Sequence, residues 1–310
     1  MARVAIVIVT YHSEAEIGVC LDALRDLPGI EIVVVDNASG DHTVEQVRGR
    51  GVPLIANPYN AGFAAAVNQG VRATSAPRIL LLNPDAQLVR GLDALEAALE
   101  DPRTGAAGGL LTGSDGLPQT GFMVRNLPTG ATLVFEVLGI NRLWPGNPVN
   151  WHYRCLGKDP VTPGFVEQPA GAFLMFSRGA WERVGGFDER FWPIWFEDVD
   201  FCTKLKHEGF RVRYEPAAVA RHTGAHSIGT LSLEIRERYW YGSLLEYAGK
   251  YYRPIAFRAI CLAVVAGAVF RAGRGCARGG LKAFRVYGAV CRLAIGRFFG
   301  YRQGLGNTVV

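Results

Sequence analysis

The chain has 310 residues, 49% of them hydrophobic, with no low-complexity tract, which is enough for one large domain or a domain with an appendage. Its net charge of +5 is unevenly spread: Lys250 to the C-terminus holds 11 Lys and Arg and no acidic residue, whereas the first 249 residues carry 22 basic and 28 acidic side chains. Six scattered cysteines without a Cys-x-x-Cys pair exclude a disulfide framework and a zinc knuckle, and point to a reducing compartment.

The N-terminus enters a strand directly, so no secretory signal is predicted. Val4–Thr10 reads as a strand. Ser13-x-x-Glu16 is a capping box ahead of a helix with Ile17, Cys20, Leu21 and Leu24 on one face. A strand follows at Glu31–Asp36, then a short helix capped by Asp41 and ending near Gly49. Pro53–Asn57 is a short strand, Gly62–Ala73 a helix of small residues, Arg78–Leu82 a strand and Leu92–Leu99 a helix. This alternation predicts an α/β fold with a doubly wound, mostly parallel sheet.

Residues 106–165 are rich in Gly, Pro, Asn and Trp, and read as a loop-rich insertion with one strand near Ala106–Leu111. Phe165–Phe176 returns to the sheet. Ala180–Val184 and Val199–Glu208 are helices, the second closed by Gly209, and Arg211–Tyr214 is the last strand. Beyond it, Leu231–Tyr252 is helical and amphipathic. Ile255–Phe270 is apolar but interrupted by Arg258, shorter than the ~20 residues of a bilayer span. Ala283–Phe299 mixes apolar residues with Arg285, Arg292 and Arg297, as an interfacial membrane helix does. A tail without acidic residues suits an anionic surface, and its interleaved Leu, Val, Ile and Phe favour lipid over nucleic acid.

Polar motifs sit just past the hydrophobic strands. Thr10-Tyr11, Asp36-Asn37-Ala38-Ser39 and Asn83-Pro84-Asp85 each follow one, and ligands of open α/β sheets bind at the carboxyl ends of strands. Asp36 can accept from a ribose or a base, or serve a turn. Asp85 is a natural ligand for magnesium or manganese beside a diphosphate. Amides near Asn60 and Gly62 at a helix start could face an anion, while Ala64–Ala66 allow close packing. Glu197 and Asp198 open a helix after the aromatic run Phe191-Trp-Pro-Ile-Trp195-Phe196. Aromatic walls there would exclude water, stack on a sugar and raise a carboxylate pKa, so that it can take a hydroxyl proton. Arg221-His222-Thr-Gly-Ala-His226-Ser227 offers imidazoles for a metal or a phosphate, outside any His-Glu-x-x-His protease pattern.

Together these motifs resemble the inverting glycosyltransferases of family 2, with the GT-A fold. The likeness runs over about residues 3–245, through Val-Ile-Val-Thr10-Tyr11, Val-Val-Asp36-Asn37-Ala-Ser-Gly-Asp41, Asn60-Ala-Gly62-Phe63, Asn68-x-Gly70 and Leu-Leu-Asn83-Pro84-Asp85. It continues in Ala170-Gly171-Ala172, Gly185-Gly186-Phe187-Asp188-Glu189, Phe196-Glu197-Asp198-Val-Asp200 and His222-x-x-Gly-x-His-Ser227. The branch it looks like is the bacterial rhamnosyltransferase-like enzymes of cell-surface polysaccharide synthesis.

The resemblance implies a Rossmann-like GT-A domain over residues 1–230, with 106–165 as an acceptor-side insertion, and a basic, amphipathic helical region over 231–310. It implies that Thr10, Tyr11, Asp36, Asn37, Asn60 and Gly62 hold the nucleotide, Gly171 and Ala172 line the donor sugar, and Trp195 and Phe196 face the acceptor. Asp198 would be the catalytic base with Glu197 in support. Asp85 would hold a Mg or Mn cation, with His222 supplying a ligand because Asn83 stands where many members have the first Asp. The donor would be a dTDP- or UDP-sugar and the acceptor a glycan or polyprenyl-linked sugar. The chain would be cytoplasmic, peripheral on the inner face of the membrane. Two alternatives remain at this point: a non-catalytic nucleotide-sugar-binding module, and a sugar-nucleotide pyrophosphorylase, which would carry a basic Gly-rich loop where Tyr11-His-Ser-Glu-Ala-Glu stands.

Overall fold

The computed structural model describes residues 2–224, 231–277 and 281–300. They form two compact units, one from 2–127, 154–189 and 197–224, the other from 128–153, 190–196, 231–277 and 281–300.

The first unit is built on strands β1 (Val4–Thr10), β2 (Ile30–Asp36), β3 (Leu54–Ala56), β4 (Arg78–Leu82), β5 (Ala86–Arg90), β6 (Thr104–Thr112), β7 (Val124–Arg125), β8 (Gly164–Val166), β9 (Gln168–Pro169), β10 (Phe173–Ser177) and β11 (Arg211–His222). Nine of them make one sheet in the order β3-β2-β1-β4-β10-β6-β11-β5, with β8 on β11; β7 and β9 pair separately. The predicted parallel core is present in β1–β4. Antiparallel β10, β5 and β8 are added to it.

β1 is buried along its whole length because helices cover both faces of the sheet, which is why it reads as an unbroken apolar run. Alternate residues face opposite ways. Val4, Ile6 and Ile8 join Ile17, Cys20 and Leu21 of α1 (Ile17–Asp22), whereas Ala5, Val7 and Val9 join Val67 and Val71 of α3 (Phe63–Arg72). Gly70 of α3 lies on Val7 and Val35 with no room for a Cβ, so the small residues of that helix serve close packing. α2 (Thr43–Gly49), α4 (Leu92–Ala98), α8 (Arg178–Arg183) and α9 (Glu197–His207) complete the unit.

Three expectations change here. The Ser13–Glu16 capping box does not form. Ser13 instead donates its backbone N–H to Thr43 Oγ1 at 2.8 Å, tying the β1 loop to α2. β5 was not foreseen. β11 runs for 12 residues rather than four, and its register shifts around Pro216, which has no N–H to give to the ladder.

The second unit contains α5 (Gly130–Leu138), α6 (Ile140–Leu143), α7 (Pro148–Tyr153), α10 (Leu233–Tyr251), α11 (Pro254–Ala277) and α12 (Leu281–Phe298). Three helices thus stand where irregular chain is predicted. Thr129 caps α5 by accepting from Thr132 N, and Gly139 ends it in the left-handed region at φ 77°. Buried Asn147 joins the next turns, donating to Asn141 Oδ1 at 3.0 Å and accepting from Asn150 N at 2.9 Å. α11 packs on α5 and α12, and Gly267 meets the Val137 carbonyl where any Cβ would collide. Arg258 does not interrupt α11. Its 22-residue Pro254–Gly275 stretch, whose most apolar window has a mean hydropathy of 1.9, is long and apolar enough to cross a bilayer, and only 28% of that window is buried.

Gly109, on β6, is where a Cβ would press on the Phe173 ring and lie 2.7 Å from the Ala218 carbonyl oxygen. Gly109→Ala is expected to lower the unfolding free energy by about 1–3 kcal/mol, read from urea denaturation.

Candidate active site

The parallel register puts Thr10 opposite Asp36 at adjacent strand ends. Both are buried. Asp36 Oδ1 accepts from Thr10 Oγ1 at 2.8 Å and from Ser39 Oγ at 2.5 Å, and Oδ2 accepts from Ser39 N at 2.8 Å. Much of the carboxylate's capacity therefore holds its own loop in shape. His12 and Ala38, at φ 51° and 63°, are non-glycine residues in the left-handed region beside this corner. Such outliers gather where surrounding structure dictates the backbone, often at ligand sites. Tyr11 packs edge-on against His12 at 4.3 Å. Asn37 Oδ1 accepts from Asn57 Nδ2, which also reaches Gln69 Oε1. Asn57 and Gln69 were not foreseen, because their role depends on the β2–β3 and α3 packing. Asn60 Oδ1 accepts from Gly62 N at 2.9 Å, closing a turn into α3.

Asp85 precedes β5, and β11 pairs with that strand so that His222 lies opposite Ala86. The register brings His222 Nε2 to 3.4 Å from Asp85 Oδ1, with side chains only 6% and 11% exposed. Gln119 holds the imidazole. Its Nε2 donates to the His222 carbonyl at 2.8 Å, which fixes the amide so that Oε1 faces His222 Nδ1 at 3.0 Å. Nδ1 then donates to Gln119, and Nε2 is the ring nitrogen turned toward the Asp85 carboxylate. Two ligands at right angles on a cation about 2.1 Å from each lie roughly 3 Å apart. The imidazole and carboxylate therefore fit a divalent cation, although the described residues contain no cluster of three or more His, Cys, Asp or Glu able to hold one. Asn83 contributes its backbone, its N–H donating to Ala172 O at 3.0 Å. His226 and Ser227 lie outside the described residues.

Asp198, half-buried in the first turn of α9, accepts from Gln168 Nε2 at 2.9 Å, Gly171 N at 3.1 Å and Val199 N at 2.8 Å. Burial raises its pKa above the ordinary carboxylate value, opposed by the Gly171 amide and the Arg125 charge. A Cβ on Gly171 would sit 3.1 Å from Asp198 Cβ, so glycine permits this close approach. Ala172 is buried and Glu197 lies beneath the surface beside Asp198. Asp200 is fully buried, with Lys204 Nζ at 3.6 Å. The Asp198 and His222 corners are linked within this unit: Phe122 stacks on His222 at 5.3 Å, and Arg125 lies 5.6 Å over Phe122. Gln119, Phe122, Arg125 and Gln168 had no local signal in the sequence. Trp195 and Phe196 belong to the second unit, at φ 79° and 69°, with the Phe196 ring 5.5 Å from Tyr247. Asn68, part of the matched run, ties down the 185–189 turn: it donates to Phe187 O and Glu189 Oε1 and accepts from Phe187 N and Trp181 Nε1.

A mostly parallel sheet with polar groups at its strand ends places this site where α/β enzymes bind their ligands. The pattern of glycosyl transferase family 2 matches residues 5–161, and that of glycosyl transferase family group 2 matches 149–295. The chain belongs to glycosyl transferase family 2 and is a glycosyltransferase. It is 34% identical over 221 residues, 64% of this chain and 68% of the other, to an N-acetylglucosaminyl-diphospho-decaprenol L-rhamnosyltransferase of Mycobacterium tuberculosis. In fold it is similar to the S. aureus TarS 1-349 structure in complex with UDP-GlcNAc, at TM-score 0.56 and 15% identity, covering 96% of this chain and 80% of that one. It is also similar to a Pyrobaculum calidifontis mannosyltransferase solved with GDP-Man and Mn2+, at TM-score 0.53 and 19% identity, over 94% and 80% of the two chains.

Asp36→Ala removes the acceptor shared by Thr10 and Ser39. We expect a loss of about 2–3 kcal/mol in urea unfolding, with Asp36→Asn losing less.

Proposed function

We propose that this glycosyltransferase works with inversion, moving a sugar, rhamnose in our reading, from a dTDP- or UDP-sugar to a hydroxyl of a lipid-linked glycan for cell-surface polysaccharide. The observation that carries the reading is the Asp198 carboxylate, held by three N–H donors and raised in pKa by burial. The lipid-linked acceptor is supported by the mycobacterial relative, an N-acetylglucosaminyl-diphospho-decaprenol L-rhamnosyltransferase.

In this reading Thr10, Tyr11, Asp36 and Asn37 form the nucleotide corner, joined through Asn57. Asn60 and Gly62 shape the start of α3, and Gly171 and Ala172 border the donor sugar. Trp195 and Phe196 face the acceptor, and Glu197 supports Asp198. Asp198 takes the proton of the acceptor hydroxyl as its oxygen bonds to the anomeric carbon. The bond from that carbon to the diphosphate oxygen breaks on the opposite face, and the nucleoside diphosphate leaves. Such a base contributes about 10²–10⁴-fold. The donors to Asp198 orient the carboxylate, while burial keeps it basic enough to accept the proton. Asp85 and His222 would hold a Mg or Mn cation, which when bound neutralises the leaving diphosphate. Gln119 holds the ring through Nδ1, so that Nε2 is the nitrogen that would ligate.

We read residues 1–230 as the transferase domain and 231–310 as a membrane region on the cytoplasmic inner face. Ile255, Leu262, Val269 and Phe270 are exposed along α11, seven residues apart in the first three cases, and the region carries no acidic residue after Glu246.

Asp198→Asn is expected to cut transfer by at least 10²-fold and leave nucleotide binding unchanged by calorimetry; retained transfer would remove Asp198 as the base. In wild type the acid limb of the transfer rate should lie above the ordinary carboxylate pKa of about 4, because the working form is the deprotonated one and burial raises its pKa. Asp85→Ala and His222→Ala should each weaken Mn2+-dependent nucleotide binding. Gln119→Met should weaken it about 10-fold, whereas Gln119→Glu, which keeps the acceptor for Nδ1, should hold most of it. Equal affinity in Gln119→Met would exclude the positioning role.

A further inference from the structure

The antiparallel ribbon of β7 and β9 lies beside Asp198, and its register sets Arg125 directly opposite Gln168. Direct partners in an antiparallel pair project to the same face, with Cβ atoms about 5 Å apart. That face is the one turned to the carboxylate, because buried Gln168 donates from Nε2 to Asp198 Oδ2 at 2.9 Å. The Arg125 side chain therefore leaves the ribbon on its Asp198 side. Its strand is pinned around it. Ala170 N donates to Met123 O at 3.0 Å, and Arg125 Nε donates to Gly121 O at 2.9 Å. Arg125 Cζ also lies 5.6 Å from the Phe122 ring centroid.

A desolvated base has two conflicting needs. Burial makes it take a proton readily, but burial also favours the protonated form before an acceptor arrives. Neutral N–H donors already hold the carboxylate: Gln168 and Gly171 on Oδ2, and Val199 on Oδ1. A carboxylate oxygen accepts about two hydrogen bonds, so among the described residues Oδ1 keeps a lone pair for an incoming proton. A further donor there would fill it. A positive charge acting through space favours the ionised form and takes no lone pair. Arg125 supplies such a charge, opposing the effect of burial on Asp198. The neighbours on α9 do not. Glu197 and Asp200 are acidic, Lys204 Nζ lies 3.6 Å from Asp200 Oδ2, and burial pushes the Cys202 thiol well up, which keeps it neutral.

We propose that Arg125 is a positioning residue for the transfer step, its charge set across the ribbon from Gln168 so that the Asp198 carboxylate stays ionised until the acceptor hydroxyl arrives. This role rests on the reading of Asp198 as the base. The direct test is carboxyl-carbon NMR of the full chain labelled at aspartate, with the Asp198 signal assigned by its loss in Asp198→Asn. Removing a nearby cation favours the protonated form, so Arg125→Gln should raise the midpoint of the Asp198 titration by about one pH unit. Arg125→Lys keeps the charge and gives up the Gly121 bond, and its midpoint should stay close to that of wild type. A midpoint unmoved in Arg125→Gln, or raised as far in Arg125→Lys, would overturn the proposal. The acid limb of kcat, measured with dTDP-rhamnose and N-acetylglucosaminyl-diphospho-decaprenol, should move up with the midpoint. Arg125→Gln then loses rate below that limb and keeps most of it above. A residue that only braced the Gly121 turn would instead lower kcat equally at every pH. A limb that stays while the midpoint moves shows that Asp198 is not the base, and the role of Arg125 falls with that reading. A midpoint that stays while Asp198→Asn abolishes transfer removes Arg125 alone.

Discussion

The pairing of β11 with β5 is the constraint on which the candidate site depends. β11 lies parallel to β6 on one side and antiparallel to β5 on the other. Its last residue, His222, is thereby delivered beside Asp85, 137 positions earlier in the chain. The shift in register between Val219 and Ala220, where β11 skips one residue of β5, sets which residue arrives there. One residue of slip would turn His222 to the other face of the sheet and place Arg221 or Thr223 against Asp85. Ladder hydrogen bonds and the buried side chains of Ala218, Val219 and Ala220 oppose that slip.

The carboxylates of the first unit differ in what surrounds them, and the difference sorts their chemistry. Asp36 is occupied by Thr10 and Ser39, so it shapes a loop first and meets a ligand second. Asp200 is buried beside Lys204 and belongs to the packing of α9. Asp85 faces the Nε2 side of the His222 imidazole, with both side chains almost wholly buried. Asp198 faces amide donors inside a desolvated pocket, which holds it in place while keeping its proton affinity high. The amide bonds alone would lower that affinity; burial outweighs them.

The second unit works by different means. Its helices are joined through buried amides at Asn141, Asn147 and Asn150, and through arginines that cap carbonyls or bridge Glu246. Basic residues and exposed apolar residues occur together along α11 and α12, a combination suited to a surface with both an anionic and an apolar layer.

Much of the fold was legible because buried parallel strands have a local signature. Val4–Thr10 and Arg78–Leu82 are unbroken apolar runs and appear in the structure with the bounds read from the sequence. The motif residues past their ends were legible for the same reason: a polar group after a buried strand has few places to go. β5, the length of β11 and helices α5–α7 were not legible. Ala86–Arg90 is too short to separate from the turn before it, and Gly and Pro near α5–α7 mask their periodicity. Thus the sequence by itself determined the strand–helix alternation, the positions of Asp36, Asp85 and Asp198 at element ends, and the basic, apolar character of the tail. Tertiary structure alone decided that Gln119 orients His222, that Gln168 and Gly171 hold Asp198, and that Arg125 lies opposite Gln168. Each of these joins residues dozens of positions apart, and pairing register and packing, which bring such residues together, leave no periodic trace in the chain.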